Sequence, residues 1–315
     1  MKISISEVLR EAYRRGEAVI PDGAVATYIP ELGRADKNAL GISICTRDGL
    51  HYGIGTVDKR FTMQSISKVV TLIVAMERFG VGEVFRNVGM EPSGEAFNSL
   101  IELDLKSNRP YNPMVNSGAL TVTSLLVGKV SFESLLETTR RFCNDPEICL
   151  DETVYRSELA NMSRNKSIAY LLESKGIIQS SVEETLDLYT RMCSLSVTAR
   201  SLSNFAVLLA MDGVDARGNE LIDSRLCEIA KTIMLTCGMY DESGEFAVKV
   251  GIPSKAGVGG GVLSAADNRL GIGVYGPSLD DKGNCIAGKP VLAYLSRALK
   301  LHIFDPNDIT AEIIP

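Results

Sequence analysis

The sequence predicts an α+β fold, an antiparallel sheet flanked by helices with an inserted helical lobe, on three observations. β-prone runs bounded by turn residues lie toward both chain ends, the middle shows helical spacing with little strand signal, and one helix is apolar on nearly every side and therefore central. With 315 residues, 45% of them hydrophobic and 23% charged, the chain can bury a large core.

Taken in order, Met1 to Arg15 sets Glu7, Arg10, Glu11, Arg14 and Arg15 among apolar residues, which predicts an amphipathic surface helix. It has no signal-peptide apolar core, and no apolar run reaches bilayer length, so a cytoplasmic location is expected. Leu40 to Thr46 and His51 to Gly55 are short β-prone runs joined by Arg47-Asp48-Gly49, which predicts an antiparallel hairpin. Phe61 to Lys68 leads into Val69 to Met76, a helix apolar on nearly every side and therefore central. Helical spacing recurs over Phe132 to Phe142, Lys166 to Lys175, Val182 to Met192, Ala199 to Met211 and Cys227 to Cys237. Strands are predicted again over Phe246 to Val250, Gly259 to Ser264 and Leu270 to Tyr275. A closing helix follows over Lys289 to Leu301, with Val291, Leu292, Leu295 and Leu299 on one stripe. A sheet lobe from approximately residues 1–64 and 238–315 and a helical lobe from approximately 65–237 are expected within one unit, with a cleft where they meet.

Several function classes are disfavoured. A net charge of -6 argues against a polyanionic partner, and nucleic acid is not expected. Seven cysteines, with no C-x-x-C pair, read as reduced and mostly buried thiols rather than disulfides or metal ligands. Only His51 and His302 are present, there is no G-x-S-x-G elbow, and both histidines are taken as structural or surface residues. H-E-x-x-H and the Walker phosphate loop are missing. Gly271-Ile272-Gly273-Val274-Tyr275-Gly276 matches G-x-G-x-x-G, but Pro277 follows and no helix opens there, so it reads as a glycine-bearing strand.

The chemistry points to Ser65 and Lys68. Residues three apart share a helical face, so the Lys68 amine can reach the Ser65 hydroxyl. A serine needs a base to take its proton, and a desolvated lysine favours its neutral form. The helix N-terminus adds unpaired N–H groups able to hold an oxyanion. Ser163 and Lys166 have the same spacing, so S-x-x-K alone reads equally as a capping serine and a solvated lysine. At Ser65 the context decides, because a lysine inside an all-round apolar helix is costly unless paired or used.

Four blocks then resemble one family, the serine-dependent glutaminases. They are Gln64-Ser65-Ile66-Ser67-Lys68, Asn112 to Ala119, Cys237-Gly238-Met239-Tyr240-Asp241 and Lys255-Ala256-Gly257-Val258-Gly259-Gly260-Gly261. They match in order and spacing, and the resemblance extends from about Pro21 to about Arg297, including Val25 to Leu32. It implies a β-lactamase/transpeptidase-like fold and hydrolysis of L-glutamine to L-glutamate and ammonia through a γ-glutamyl ester on Ser65, with Lys68 as base. It places the oxyanion hole at the N–H groups of Ser65 and Val258, and Tyr240 as proton relay to the departing ammonia. Tyr28, Asn116, Glu158, Asn165 and Tyr189 become substrate residues, with Glu158 for the α-ammonium and the amides and phenols for the α-carboxylate. Taken singly, each has a plainer explanation: Asn116 in a turn, Glu158 and Asn165 on a solvated helix face, Tyr240 half-buried at a strand edge.

The family's usual Lys-Ser-Gly is Lys255-Ala256-Gly257 here, so one hydroxyl is missing and its hydrogen bonds are absent or made by water. The usual alanine of the asparagine block is Ser117, a small-for-small change. L-glutamine and water are the expected partners, with no cofactor, no metal and no membrane. The resemblance implies a homo-oligomer, a dimer or tetramer. Two other readings stay open: a β-lactamase or penicillin-interacting serine hydrolase, and a non-catalytic glutamine-binding relative.

Overall fold

The computed structural model describes residues 2–93, 109–305 and 312–314. Its strands are β1 (Lys2–Ser4), β2 (Gly41–Thr46), β3 (His51–Gly55), β4 (Phe61–Thr62), β5 (Ser196–Val197), β6 (Ser254–Ala256), β7 (Gly261–Ala266), β8 (Leu270–Tyr275) and β9 (Glu312–Ile314). Five of them form an antiparallel sheet in the order β3-β2-β8-β7-β6. Two of its three inner strands, β2 and β8, come from opposite parts of the chain, with Ile42 facing Val274 and Ile44 facing Ile272. The β2–β3 hairpin turns at Gly49, whose φ of 80° is a left-handed backbone that glycine adopts without steric cost. Two short pairs stand apart, β1 beside β9 in parallel and β4 beside β5 in antiparallel register.

The helices are α1 (Ile5–Glu17), α2 (Ser67–Phe79), α3 (Val81–Asn87), α4 (Asn116–Leu126), α5 (Phe132–Cys143), α6 (Glu152–Ala160), α7 (Ser163–Ser174), α8 (Val182–Cys193), α9 (Ala199–Ala210), α10 (Ser224–Cys237), α11 (Ser243–Lys249) and α12 (Gly288–Leu299). Their starts follow ordinary capping chemistry. Ser131, Asp151, Ser181, Thr198 and Asp223 each accept a backbone N–H in the first turn, and Thr198 with Ser201 closes a reciprocal box.

Each face of the sheet has its own cover. Ile42, Ile44, Val262, Ile272 and Val274 pack with Ile5, Leu9 and Ala12 of α1 and with Val291, Leu292 and Leu295 of α12. The opposite face meets α9 at very short range. A Cβ added at Gly273 would stand 1.9 Å from the Ala199 carbonyl oxygen, and one at Gly271 would stand 2.1 Å from the Val207 nitrogen. The glycines of the G-x-G-x-x-G match therefore let a helix lie on a strand backbone. Ser43 and Ser203 join the two layers by a 2.9 Å hydroxyl contact.

Beyond α9 the core continues into the helices. Helix α2 is buried at every position from Ser67 to Met76 and packs among residues of α4, α5, α8 and α10, as its all-round apolar sequence predicts. A further cluster joins α4, α7 and α8 through Leu120, Ile168, Leu172, Leu186 and Tyr189.

One predicted strand is a helix. Phe246 to Val250 alternates apolar residues, but Ser243–Lys249 is α11, and the third carboxyl-side strand is Ser254–Ala256. Side-chain placement gives the reason. A strand would bury residues 246, 248 and 250 on one face, whereas Phe246 and Val250 are buried four apart and Val248 is 80% exposed. The amino-terminal helix also starts later than expected, at Ile5. None of the seven cysteines is paired, and all but Cys149 are buried.

Candidate active site

Ser65 sits in a 3-10 turn, Gln64–Ile66, that runs directly into α2 and so places Lys68 in the first turn of the α-helix. Gln64 has φ of 49°, a conformation that costs a non-glycine residue on the order of 1–3 kcal/mol and is retained where surroundings over-determine it. Both side chains of the pair are buried.

The Lys68 amine has two hydrogen bonds, to the Met114 carbonyl at 3.0 Å and to Asn116 Oδ1 at 2.7 Å. Burial lowers its pKa to about 8, against the opposing pull of negative charge at Cys193 and Glu158. Asn116 opens α4 and is not a turn residue; its amide nitrogen donates to Asn165 Oδ1 at 2.9 Å. Lys68, Asn116 and Asn165 thus form one directed chain. Asn112 sets its geometry by accepting the N–H groups of Met114 and Val115 at 2.9 and 3.2 Å.

Glu158 lies near the end of α6 and is buried rather than solvated. Desolvation raises its carboxyl to about 7, and a 3.3 Å hydrogen bond from Gln64 Nε2 and the Lys68 charge only partly offset this. Tyr189 of α8 is buried beside it, its phenol pushed well up first by burial and then by Cys193 and Glu158. Tyr28 lies at the rim, 56% exposed as a residue, with its phenol end close enough to Tyr240 and Glu158 that their charge adds to desolvation in raising it.

Tyr240 is buried in a second 3-10 turn, Tyr240–Glu242, with φ of 54°, and not at a strand edge. Its pKa is raised by burial and lowered in part by a hydrogen bond with the Ser65 hydroxyl. Its phenol also donates to the Ala256 carbonyl at 3.3 Å. Lys255 Nζ lies 4.5 Å from the Tyr240 ring centre and donates to the carbonyls of Gly238 and Ala256 at 3.1 and 2.6 Å. Burial, and then the Lys68 charge, hold the Lys255 pKa well below its ordinary value. At position 256 it is thus the backbone carbonyl that meets these two groups, while the methyl group is buried in the core beneath the sheet.

Val258 sits in the turn between β6 and β7. Added Cβ atoms at Gly257 and Gly259 would stand 2.7 Å from the Met63 carbonyl oxygen and 2.4 Å from that of Thr62, so glycine lets this turn press on the segment leading to Ser65. The Val258 N–H has no hydrogen-bond acceptor among the described residues, although the residue is buried. The other S-x-x-K pair, Ser163 and Lys166, is exposed on α7.

A buried hydroxyl, a buried amine of lowered pKa, a buried carboxyl of raised pKa and a free N–H therefore converge where α2 meets the sheet. The family model for Glutaminase matches residues 23–304. The chain belongs to the glutaminase family. It is an enzyme that hydrolyses the side-chain amide of L-glutamine. Glutaminase 2 of Clostridium perfringens is 50% identical over 290 residues, 90% of this chain and 95% of that one. The glutaminase of Fusobacterium nucleatum is 47% identical over 304 residues, 95% of this chain and all of that one. A solved Bacillus subtilis glutaminase, in covalent complex with 5-oxo-L-norleucine formed by reaction with 6-diazo-5-oxo-L-norleucine, superposes with a TM-score of 0.85 at 34% identity, covering 94% of this chain and 98% of that one. This glutaminase shares the α+β, β-lactamase-like arrangement that its sequence resembles.

Three residues packed around this cluster escaped sequence reading: Gln64 on Glu158, Asn112 behind Met114, and Cys193, whose thiol lies 3.8 Å from Ser67 Oγ. Gln64 stood inside the quoted motif; its positive φ is the signal that singles it out, and it is a structural one.

Proposed function

We propose that this glutaminase works through Ser65 as nucleophile and Lys68 as general base. The neutral Lys68 amine takes the Ser65 proton as Oγ bonds to the side-chain carbonyl carbon of glutamine. The N–H groups of Ser65 and Val258 hold the resulting oxyanion. Tyr240 passes a proton to the amide nitrogen and takes its replacement from the protonated Lys68 amine, the carbon–nitrogen bond breaks, and ammonia leaves a γ-glutamyl ester on Ser65. Water then attacks the ester, giving up its proton as the Ser65 oxygen is reprotonated, and glutamate departs. Glu158 receives the α-ammonium, and Tyr28, Asn116, Asn165 and Tyr189 complete the pocket around the α-groups. This glutamine pocket excludes shorter amides by leaving buried polar groups unpaired.

The observation that carries this reading is the Lys68 amine, buried one turn after Ser65 with its pKa lowered to about 8. The same reading takes the sheet lobe as approximately residues 1–64 and 238–315 and the helical lobe as approximately 65–237, with the reaction at their junction. It further holds that the enzyme is cytoplasmic and a homo-oligomer, a dimer or tetramer, which light scattering of the purified protein tests. Among the described residues no helix is long and apolar enough to cross a membrane.

The deciding experiment pairs steady-state ammonia release with mass spectrometry after exposure to 6-diazo-5-oxo-L-norleucine. Wild type should release ammonia and carry the adduct on Ser65, and Ser65→Ala should do neither. An adduct on any other residue, or ammonia release retained by Ser65→Ala, overturns the assignment.

A further inference from the structure

Tyr240 has a left-handed backbone, φ 54°, that a side chain as large as tyrosine rarely adopts, so something outside the residue must hold it there. Two groups do so. Ser243 Oγ accepts the Met239 N–H at 3.0 Å and donates to the Tyr240 carbonyl at 2.8 Å. From much further along the chain, Asn284 Nδ2 donates to the Met239 carbonyl at 3.3 Å and to Glu242 Oε2 at 2.9 Å. Asn284 therefore grips both ends of the turn on which Tyr240 stands.

Asn284 is itself held firmly. It closes a loop in which Asp280 Oδ1 accepts the N–H groups of Lys282 and Asn284 at 3.0 and 2.9 Å. Lys289 of α12 ties that loop to the tyrosine turn, with Nζ 2.6 Å from Asp280 and 3.2 Å from Glu242. Both neighbours of the Asn284 amide nitrogen are acceptors, which fixes the orientation of the amide. Its oxygen is buried and has no hydrogen-bond partner among the described residues.

We infer that Asn284, anchored by Glu242 and Lys289, is a positioning residue for catalysis, holding the Met239–Tyr240 peptide so that the phenol meets the Ser65 hydroxyl. The inference rests on the proposed proton-relay role of Tyr240. Asn284 acts through the turn and does not touch the reacting atoms. Its loss frees the turn to relax from the left-handed conformation, moving the phenol off Ser65 while leaving Glu158 and the Lys68–Asn116–Asn165 chain in place.

A double-mutant cycle on the full-length enzyme tests this, comparing wild type, Asn284→Ala, Tyr240→Phe and the double variant in ammonia release from L-glutamine. Asn284→Ala should lower kcat roughly 10- to 100-fold with KM changed less than about threefold, the cost of a misplaced proton-transfer group. In the Tyr240→Phe background the same substitution should cost less than about twofold, since the group it positions is already gone. Equal losses in the two backgrounds, or an Asn284→Ala enzyme of undiminished kcat, overturn the inference and leave the relay standing. A Tyr240→Phe enzyme of undiminished kcat overturns the relay itself and the inference with it. Should Asn284→Ala not fold, as judged by its thermal melt, Glu242→Ala removes the outer anchor and takes its place in the cycle with the same expected pattern.

Discussion

Lys68 shows how a single buried group links stability to chemistry. An unfolded lysine holds its proton to a pKa near 10.5, the folded one only to about 8, so between these values the unfolded state binds more protons and stability rises with pH. Below about pH 8 the full penalty of the buried charge is present, on the order of 3 kcal/mol. Lys68→Met removes that penalty but strips the donor from the Met114 carbonyl and Asn116. At pH 7 the variant should melt no lower than wild type, and its standing relative to wild type should fall by roughly 5 °C as pH rises from 8 to 10.5. Its ammonia release should drop roughly 10²- to 10⁴-fold. Glu158 titrates beside it, its carboxyl raised to about 7, and in the proposed pocket the α-ammonium requires the ionised form. Wild-type kcat/KM should therefore climb through two inflections, near 7 and near 8. Glu158→Gln should lower it roughly 10- to 100-fold and erase the lower inflection, as a pH series of initial rates would read. The burial of Ser65 and Lys68 at the head of α2 was legible because the apolar context is encoded in side chains. The Met114 carbonyl that holds Lys68 was not, since a backbone acceptor carries no residue code.

At the scale of elements, the contact between α9 and β8 leaves no room for a side chain. Gly273→Ala would drive a methyl group into the Ala199 carbonyl, 1.9 Å from its own ideal position, and backbone cannot rotate away as a side chain can. The variant should lose roughly 3 kcal/mol or more, seen as a lowered midpoint in urea or heat. Most helices and the β2–β3 hairpin were readable in advance, because long runs carry enough turns to fix their period. Residues 246–250 were not. Five residues with apolar positions at 246, 248 and 250 fit a strand, and only the burial of Phe246 with Val250 and the exposure of Val248 settle the period as helical. The glycines of β8 were read as belonging to a strand, yet the reason for them lies in a helix some 70 residues earlier.

Over the whole molecule, distant segments are clipped together by charge as well as by the core. Lys231 of α10 is nearly buried between Asp212, 2.7 Å away in the turn after α9, and Asp267 in the β7–β8 turn. Both carboxylates are partly exposed, so the clip is worth much less than a fully buried one, on the order of 1–2 kcal/mol. Lys231→Ala should lower the melting midpoint by a few degrees while ammonia release per folded molecule stays at the wild-type level. The α+β class and the central place of α2 were legible from composition along the chain. Long-range pairs such as Asn284 with Met239 were not, because their partners are set by loop geometry rather than by periodicity. The pairing of β2 with β8 has a further consequence, in the time domain of synthesis. The hairpin emerges early, but the strand that joins its inner edge follows about 220 residues later, on the order of 10–45 s at ordinary translation rates. For that interval Ile42 and Ile44 lack the strand beside them, and a ribosome that stalls short of residue 275 releases a chain with an open, adhesive sheet edge.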